Sequence, residues 1–229
     1  MYGADASGAI VFRRKLRRHD VLGFFAAQPR CVAAMEACGG AHDWGREISQ
    51  LGHEVKLIAP AYVKPFVKRQ KNDVADAEAI CEAAQRPTMR FVQVKSDEQQ
   101  ASAAVFRVRD LLVRQRTQLI NALRGQLAEY GLVVAHGPSH VTKLIDQLRN
   151  RESGVPSSAR LALELLVTML ETLRDKIAEL DLEVGRRAKE DQAARRHMTI
   201  PGIGPVTATA LVALAPDASS FRCGRDFAA

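Results

Sequence analysis

Apolar and polar positions change their rhythm twice along this chain. Residues 9–16, AIVFRRKL, follow the turn residues Asp5, Ser7 and Gly8 and alternate in the manner of a strand. CVAAMEA (31–37) is a short, largely apolar run that stops at Gly39-Gly40, and EVKLIAP (54–60) is a second one that stops at Pro60. Between them AHDWGREISQLG predicts a helix, with Gly52 in the C′ position. NDVADAEAICEAAQR (72–86) is rich in Ala and Glu, offers Asn72 or Asp73 as a cap and ends just before Pro87, so a second helix is predicted there. Short apolar runs that alternate with helical patterns are the grammar of an α/β domain.

From about residue 97 the rhythm becomes that of long helices. One row steps by three or four through Ala101, Val105, Val108, Leu112, Leu119, Leu123, Leu127 and Tyr130, with Arg116 interrupting it. A second runs through Ala162, Leu166, Met169, Leu173, Ile177, Leu180 and Val184. Such stripes need partners, either each other in an antiparallel hairpin or another copy in an intermolecular coiled coil. The stretch between them is broken by Gly131, Gly137, Pro138, Gly154 and Pro156 and has room for a short helix around 140–150. A third unit opens near Thr199 with IPGIGPVTATALVALAP. The expected organisation is therefore an α/β domain over 1–95, long helices over 96–197 and the start of a further helical domain over 198–229.

Composition narrows the partners. The 229 residues hold 33 Lys+Arg against 26 Asp+Glu, a formal charge of +7, with 47% hydrophobic and 26% charged residues. That excludes a disordered or collagen-like chain and suits a polyanionic partner. No apolar run approaches the roughly 20 residues that span a bilayer, so no membrane role is expected. The cysteines Cys31, Cys38, Cys81 and Cys223 are widely spaced and form no Cys-x-x-Cys pair, and are expected to be free, buried thiols.

Candidate chemistry lies in the carboxylates. Glu36 closes an apolar strand run, and Asp73 and Asp76 sit three apart at the start of a helix, on one face. A strand-end carboxylate facing a helix-borne pair is one way to hold two Mg²⁺ ions about 4 Å apart for phosphoryl transfer. Spacing alone equally allows Asp73 and Asp76 to complement a helix N-terminus and Glu36 to cap a turn.

MEACGGAHDWGREISQLGHEVKLIAPAYVKPFVKRQKNDVADAEAICEAAQRP resembles the N-terminal domain of transposases of the insertion-sequence family one-ten, relatives of the Piv DNA invertases. The resemblance continues through FVQVKSDEQQ, RVRDLLVRQRTQLINALRGQLAEYG and TIPGIGPVTATALVA. It implies an RNase H-like, RuvC-like N-terminal domain with an Asp-Glu-Asp-Asp metal tetrad, of which Glu36, Asp73 and Asp76 match the last three members. It further implies Mg²⁺ (or Mn²⁺), DNA as substrate, a bridge RNA as guide, a homo-oligomer, and a bacterial, cytoplasmic, nucleoid-associated setting. The tetrad's first Asp lies in the family on a strand upstream of Met1, and the family's Ser nucleophile lies downstream of Ala229. The chain thus reads as shortened at both ends, and Asp5 as a turn residue rather than a substitute ligand.

Ile200-Pro201-Gly202-Ile203-Gly204-Pro205 followed by Val206-Thr207 resembles a helix-hairpin-helix, in which Gly202, Gly204 and Thr207 would present backbone amides to a DNA phosphate. A plain packing corner fits the same residues. Lys64, Lys68, Arg69 and Lys71 precede the Asp pair and would border the metal site, where they could neutralise phosphates. Arg107, Arg109, Arg114, Arg116 and Arg124 stud the first long helix, either for nucleic acid or as a solvated face. His136 and His140 are four apart, yet Gly137 and Pro138 break any helix that would pair them. Trp44 and Phe66 are expected core anchors. The resulting expectation is Mg²⁺-dependent, RNA-guided DNA transposition or recombination. Its rival is a non-catalytic DNA-binding and self-associating remnant.

Overall fold

In the computed structural model, which describes residues 1–5, 7–67, 72–215 and 221–228, Tyr2–Ala4 (β1) runs antiparallel to Ile10–Arg13 (β2). Gly3 faces Phe12 across this hairpin, and a Cβ at Gly3 would overlap the Phe12 ring. A 3-10 turn (Arg18–Asp20) leads into Val21–Ala26 (α1), followed by Val32–Glu36 (β3), Ala41–Gln50 (α2) and Glu54–Ile58 (β4). Next come Pro60–Val63 (α3), a 3-10 turn at Lys64–Phe66, Asp73–Ala84 (α4) and Phe91–Val92 (β5). β3 and β4 are parallel, with Glu36 beside Ile58, and β5 adds antiparallel to β4, giving the order β3-β4-β5. A parallel pair needs a crossover, which α2 supplies.

Alternation along β4 sends Val55 and Ile58 to opposite faces, and each face has its own core. Phe25, Ala33 and Ile48 pack with Trp44, Met35 and Val55 on the α1/α2 side. Ile58, Val63, Ala79 and Ala83 pack with Phe66 and Met89 on the α3/α4 side. Trp44 and Phe66 are the anchors that the sequence predicts. The helix ends follow the sequence too: Gly52, at φ 90°, turns the chain out of α2, and Asn72 caps α4.

His53 ties this unit together. It is buried, its Nδ1 accepts the Cys31 N–H at 3.3 Å, and its Nε2 lies 2.9 Å from the Phe25 carbonyl oxygen, so the ring proton sits on Nε2. One imidazole thereby joins the end of α1 to the entries of β3 and β4. His53→Ala would strand that carbonyl and amide and is expected to cost about 2 kcal/mol in urea unfolding. A loss below about 0.5 kcal/mol would show that the contacts are incidental.

The chain divides into two units, residues 1–97 and 98–229. Asp97–Ala128 (α5) opens the second at Glu98, and there follow a 3-10 turn (Pro138–His140), Val141–Arg149 (α6), Ser157–Glu190 (α7), Gln192–His197 (α8), Pro205–Leu214 (α9) and Gly224–Ala228 (α10). Its main core joins Leu123 and Leu127 of α5, Leu144 and Leu148 of α6, and Leu163, Val167 and Leu170 of α7. Arg109 Nε reaches Asp181 Oδ1 at 2.6 Å, and Arg187 Nη1 donates to Ser102 Oγ at 3.1 Å. Numbers rise along one helix as they fall along the other. The two helices therefore run antiparallel within the chain, the hairpin being one of the two arrangements that the sequence leaves open.

The predicted row on α7 holds at Ile177 and Val184, which are buried, and needs a correction in the first turns. Leu163, Val167 and Leu170 are buried, whereas Ala162 and Met169 are exposed, Met169 by 55%. The stretch ARLALELLVTML is apolar at so many positions that two rows compete, and contact with α5 and α6 selects one. The cysteines also differ from expectation: Cys31, Cys38 and Cys223 are exposed and Cys81 is half-buried. Two arginines close the connections. Arg160 donates to the Leu148, Asn150 and Val155 carbonyl oxygens at the end of α6, and Arg124 to those of Ala135 and Gly137. Such bonds satisfy carbonyls that a helix end or a loop leaves open.

Candidate active site

Glu36 is the last residue of β3, half-buried, with Ile58 beside it on β4. Ile58 belongs to the same cluster as Ala79 and Ala83, so α4 lies against this end of the sheet. The Asn72 side chain accepts from Val74 N at 3.1 Å and Ala75 N at 2.9 Å, which fixes where α4 starts and places Asp73 and Asp76 in its first turn. Asp76 lies one turn before the buried Ala79 and is half-buried; Asp73 is exposed. Two carboxylates at a helix N-terminus are favoured by its dipole. Among the described residues none of the three side chains, Glu36, Asp73 or Asp76, has an ion-pair or hydrogen-bond partner, in a chain of net charge +7.

Hard carboxylate oxygens are the donors that Mg²⁺ or Mn²⁺ prefers. Their arrangement falls short, however. Among the described residues no three His, Cys, Asp or Glu side chains converge as a group that could hold an ion. Glu36, Asp73 and Asp76 are thus on packed, adjacent elements without forming a three-ligand site of their own. Asp5 does not complete one. Its Oδ1 accepts from Ser7 Oγ at 2.6 Å, Ser7 N at 2.9 Å and Ala9 N at 3.0 Å, closing the β1–β2 turn. The Ser7 hydroxyl, followed by those amides, holds the Asp5 carboxyl below its ordinary value. Asp5 is a turn residue, as its sequence context predicts.

The residues proposed for nucleic acid fall in two places. Lys64 is exposed in the 3-10 turn after α3, while Lys68, Arg69 and Lys71 lie outside the described residues. In the second unit, α8 and α9 are joined by a turn at whose reversal Gly202 takes φ 88°, and Gly204 caps α9 with Pro205 in the first turn. α9 packs on α7 and α8, and Thr207 is exposed near its start, where helix amides lack intrahelical acceptors. Arg109 and Arg114 of α5 are engaged with Asp181 and Asp110. The Arg124 guanidinium faces His136 Nδ1 at 3.2 Å, and His140 stands at the start of α6, so the histidine pair belongs to a loop.

Residues 8–132 match the family model of the IS110-type DEDD transposases, and residues 194–229 match that of the IS116/IS110/IS902 transposases. The whole chain is 46% identical to a probable family 20 transposase of Pseudomonas aeruginosa and covers 68% of that protein. It is 40% identical over 98% of its length to the transposase for insertion sequence element IS1328 of Yersinia enterocolitica, covering 67% of it. It is 37% identical over 99% of its length to that for IS1111A of Coxiella burnetii, covering 63%. These proteins are all named as transposases, and that is the class which the sequence matches define. The chain belongs to the IS116/IS110/IS902 family of transposases, and it spans roughly two thirds of the length of these relatives.

Proposed function

We propose that the chain acts on DNA in the transposition of an insertion sequence, with Glu36, Asp73 and Asp76 as ligands for divalent metal. In this reading residues 1–95 form an RNase H-like, RuvC-like domain, 96–197 a coiled-coil segment, and 198–229 the start of a helix-hairpin-helix domain. The observation that carries it is the trio of acidic side chains on β3 and the adjoining α4, left without cationic partners in a basic chain. Mg²⁺ or Mn²⁺ held there would supply electrostatic stabilisation of the phosphodiester oxygens. The residues themselves would orient that ion, and Lys64, Lys68, Arg69 and Lys71 would hold the neighbouring phosphates. Gly202, Gly204 and Thr207 would bind backbone phosphate without reading sequence. A bridge RNA as guide and a homo-oligomer belong to the same reading, by resemblance.

A non-catalytic DNA-binding remnant is the second reading, favoured by the failure of three ligands to converge among the described residues. Calorimetric titration with Mg²⁺ or Mn²⁺ addresses the site. This chain is expected to bind at most weakly, in the millimolar range typical of poorly preorganised carboxylate sites, and Asp76→Ala to weaken binding further. Tight uptake of two ions would overturn the view that the site is incomplete, and binding untouched by Asp76→Ala would remove Asp76 from it.

A further inference from the structure

The densest run of positive charge among the described residues is Arg13-Arg14-Lys15-Leu16-Arg17-Arg18, at the end of β2 and in the segment after it. All five cationic residues are exposed. Among the described residues none of them has a carboxylate partner. The nearest acids in sequence are occupied: Asp20 pairs with His19 at 3.3 Å, and Asp5 is bound into its own turn. By contrast, Arg149, Lys176, Arg186 and Arg187 on the long helices face Glu164, Glu179 or Glu183. An ordinary solvated face interleaves both signs as those helices do; this one does not.

Three of the guanidinium groups are also held in place. Arg13 lies 5.4 Å over the ring of Tyr2, its cross-strand partner, Arg14 lies 6.0 Å over Phe24, and Arg18 lies 4.9 Å over Trp44. Stacking uses the face of a guanidinium and leaves its in-plane N–H donors free, the geometry that meets phosphate oxygens. It also removes side-chain freedom before binding, which reduces the entropy that binding must overcome. The Arg14 amide donates to the Met1 carbonyl oxygen at 2.9 Å and fixes the backbone where the run leaves the ladder.

From these observations we infer that residues 13–18 form a backbone-contacting surface for duplex DNA, read through its phosphates and not its bases. The inference rests on the reading of the chain as a protein that acts on DNA, and it assigns that binding to residues other than Lys64 and those of the α8–α9 turn. An anionic membrane would want apolar side chains to insert beside the cations; here Leu16 is half-buried and the run lies on a strand end, without an amphipathic helix.

The test measures anisotropy of a labelled DNA duplex with the full chain across a salt series, beside vesicles of phosphatidylglycerol. Lys15→Gln/Arg17→Gln is the informative variant, because neither side chain stacks on a ring or pairs with an acid, so the fold is not at risk. Each phosphate contact contributes about 0.9 to the slope of log K against log salt, so the double variant should be shallower by about 1.8. Arg18→Lys keeps the charge but loses the planar stack on Trp44; its slope should be unchanged while its affinity falls several-fold. DNA binding with an unaltered slope in the double variant overturns the inference and leaves the transposase reading standing. No binding of the parent chain to DNA even at low salt overturns both. Binding to vesicles that the double variant loses, with DNA binding unaffected, assigns the surface to a membrane and overturns it as well.

Discussion

Leu123→Ala is expected to remove about 3 kcal/mol from the stability of the helical unit. Leu123 is fully buried where α5 meets α6 and α7, in one cluster with Leu127, Leu148, Val167 and Leu170. Truncation there loses the transfer free energy of the side chain and leaves a cavity between helices whose spacing is fixed by several other side chains, so collapse is incomplete. Urea unfolding followed by helical circular dichroism measures it. Leu161→Ala is the comparison: Leu161 lies on the same α7 but is 72% exposed, and its loss should stay within about 0.5 kcal/mol. Equal effects from the two variants would mean that the face of α7 turned toward α5 has been assigned wrongly.

That pair of leucines also shows where sequence reading stops. β3, β4, α2 and α4 were legible because punctuation bounds them: Gly39-Gly40 and Pro60 after the strands, Gly52 after α2, Asn72 and Pro87 around α4. α1, α3 and β5 are too short to establish a period, and the expectations did not include them. On α7 the helix and the later part of its row, Ile177 and Val184, are legible, but its first turns are not, since periodicity cannot choose between Ala162-Leu166-Met169 and Leu163-Val167-Leu170 when both are apolar. Only the partner helix chooses.

The candidate site divides in the same way. Residue type and local position of Glu36, Asp73 and Asp76 could be read from the strand run, the cap and the family resemblance. Whether three carboxylates converge depends on tertiary distances that no spacing encodes, and among the described residues they do not. The basic run at residues 13–18 was hidden for a different reason: reading 9–16 as a strand attends to period, while the signal was unpaired charge, visible only once its neighbours' partners are known. The cysteines follow suit. Their exposure is a matter of where loops run, and apolar context in the sequence overstates burial.

Strand exchange is the second large effect. If Glu36, Asp73 and Asp76 hold the ion that stabilises the reacting phosphodiester, neutralising Glu36 removes a ligand while changing little of the packing, because its side chain has no partner to lose. A catalytic step that depends on that ion should then fall by roughly a thousandfold or more, the scale at which removal of a preorganised charge acts. Affinity for DNA should change far less, since in this reading the phosphate contacts are made by cationic side chains and not by Glu36.

The measurement that bears most directly on this account is strand exchange between donor and target DNA in Mg²⁺, with the element's RNA supplied. It compares a protein in which the remainder of the 46% identical relative, of which the chain covers 68%, is joined to this chain with its Glu36→Gln variant. The account predicts exchange by the parent and its loss in Glu36→Gln, with DNA affinity retained. Exchange at the parental rate by the Glu36→Gln protein would contradict it.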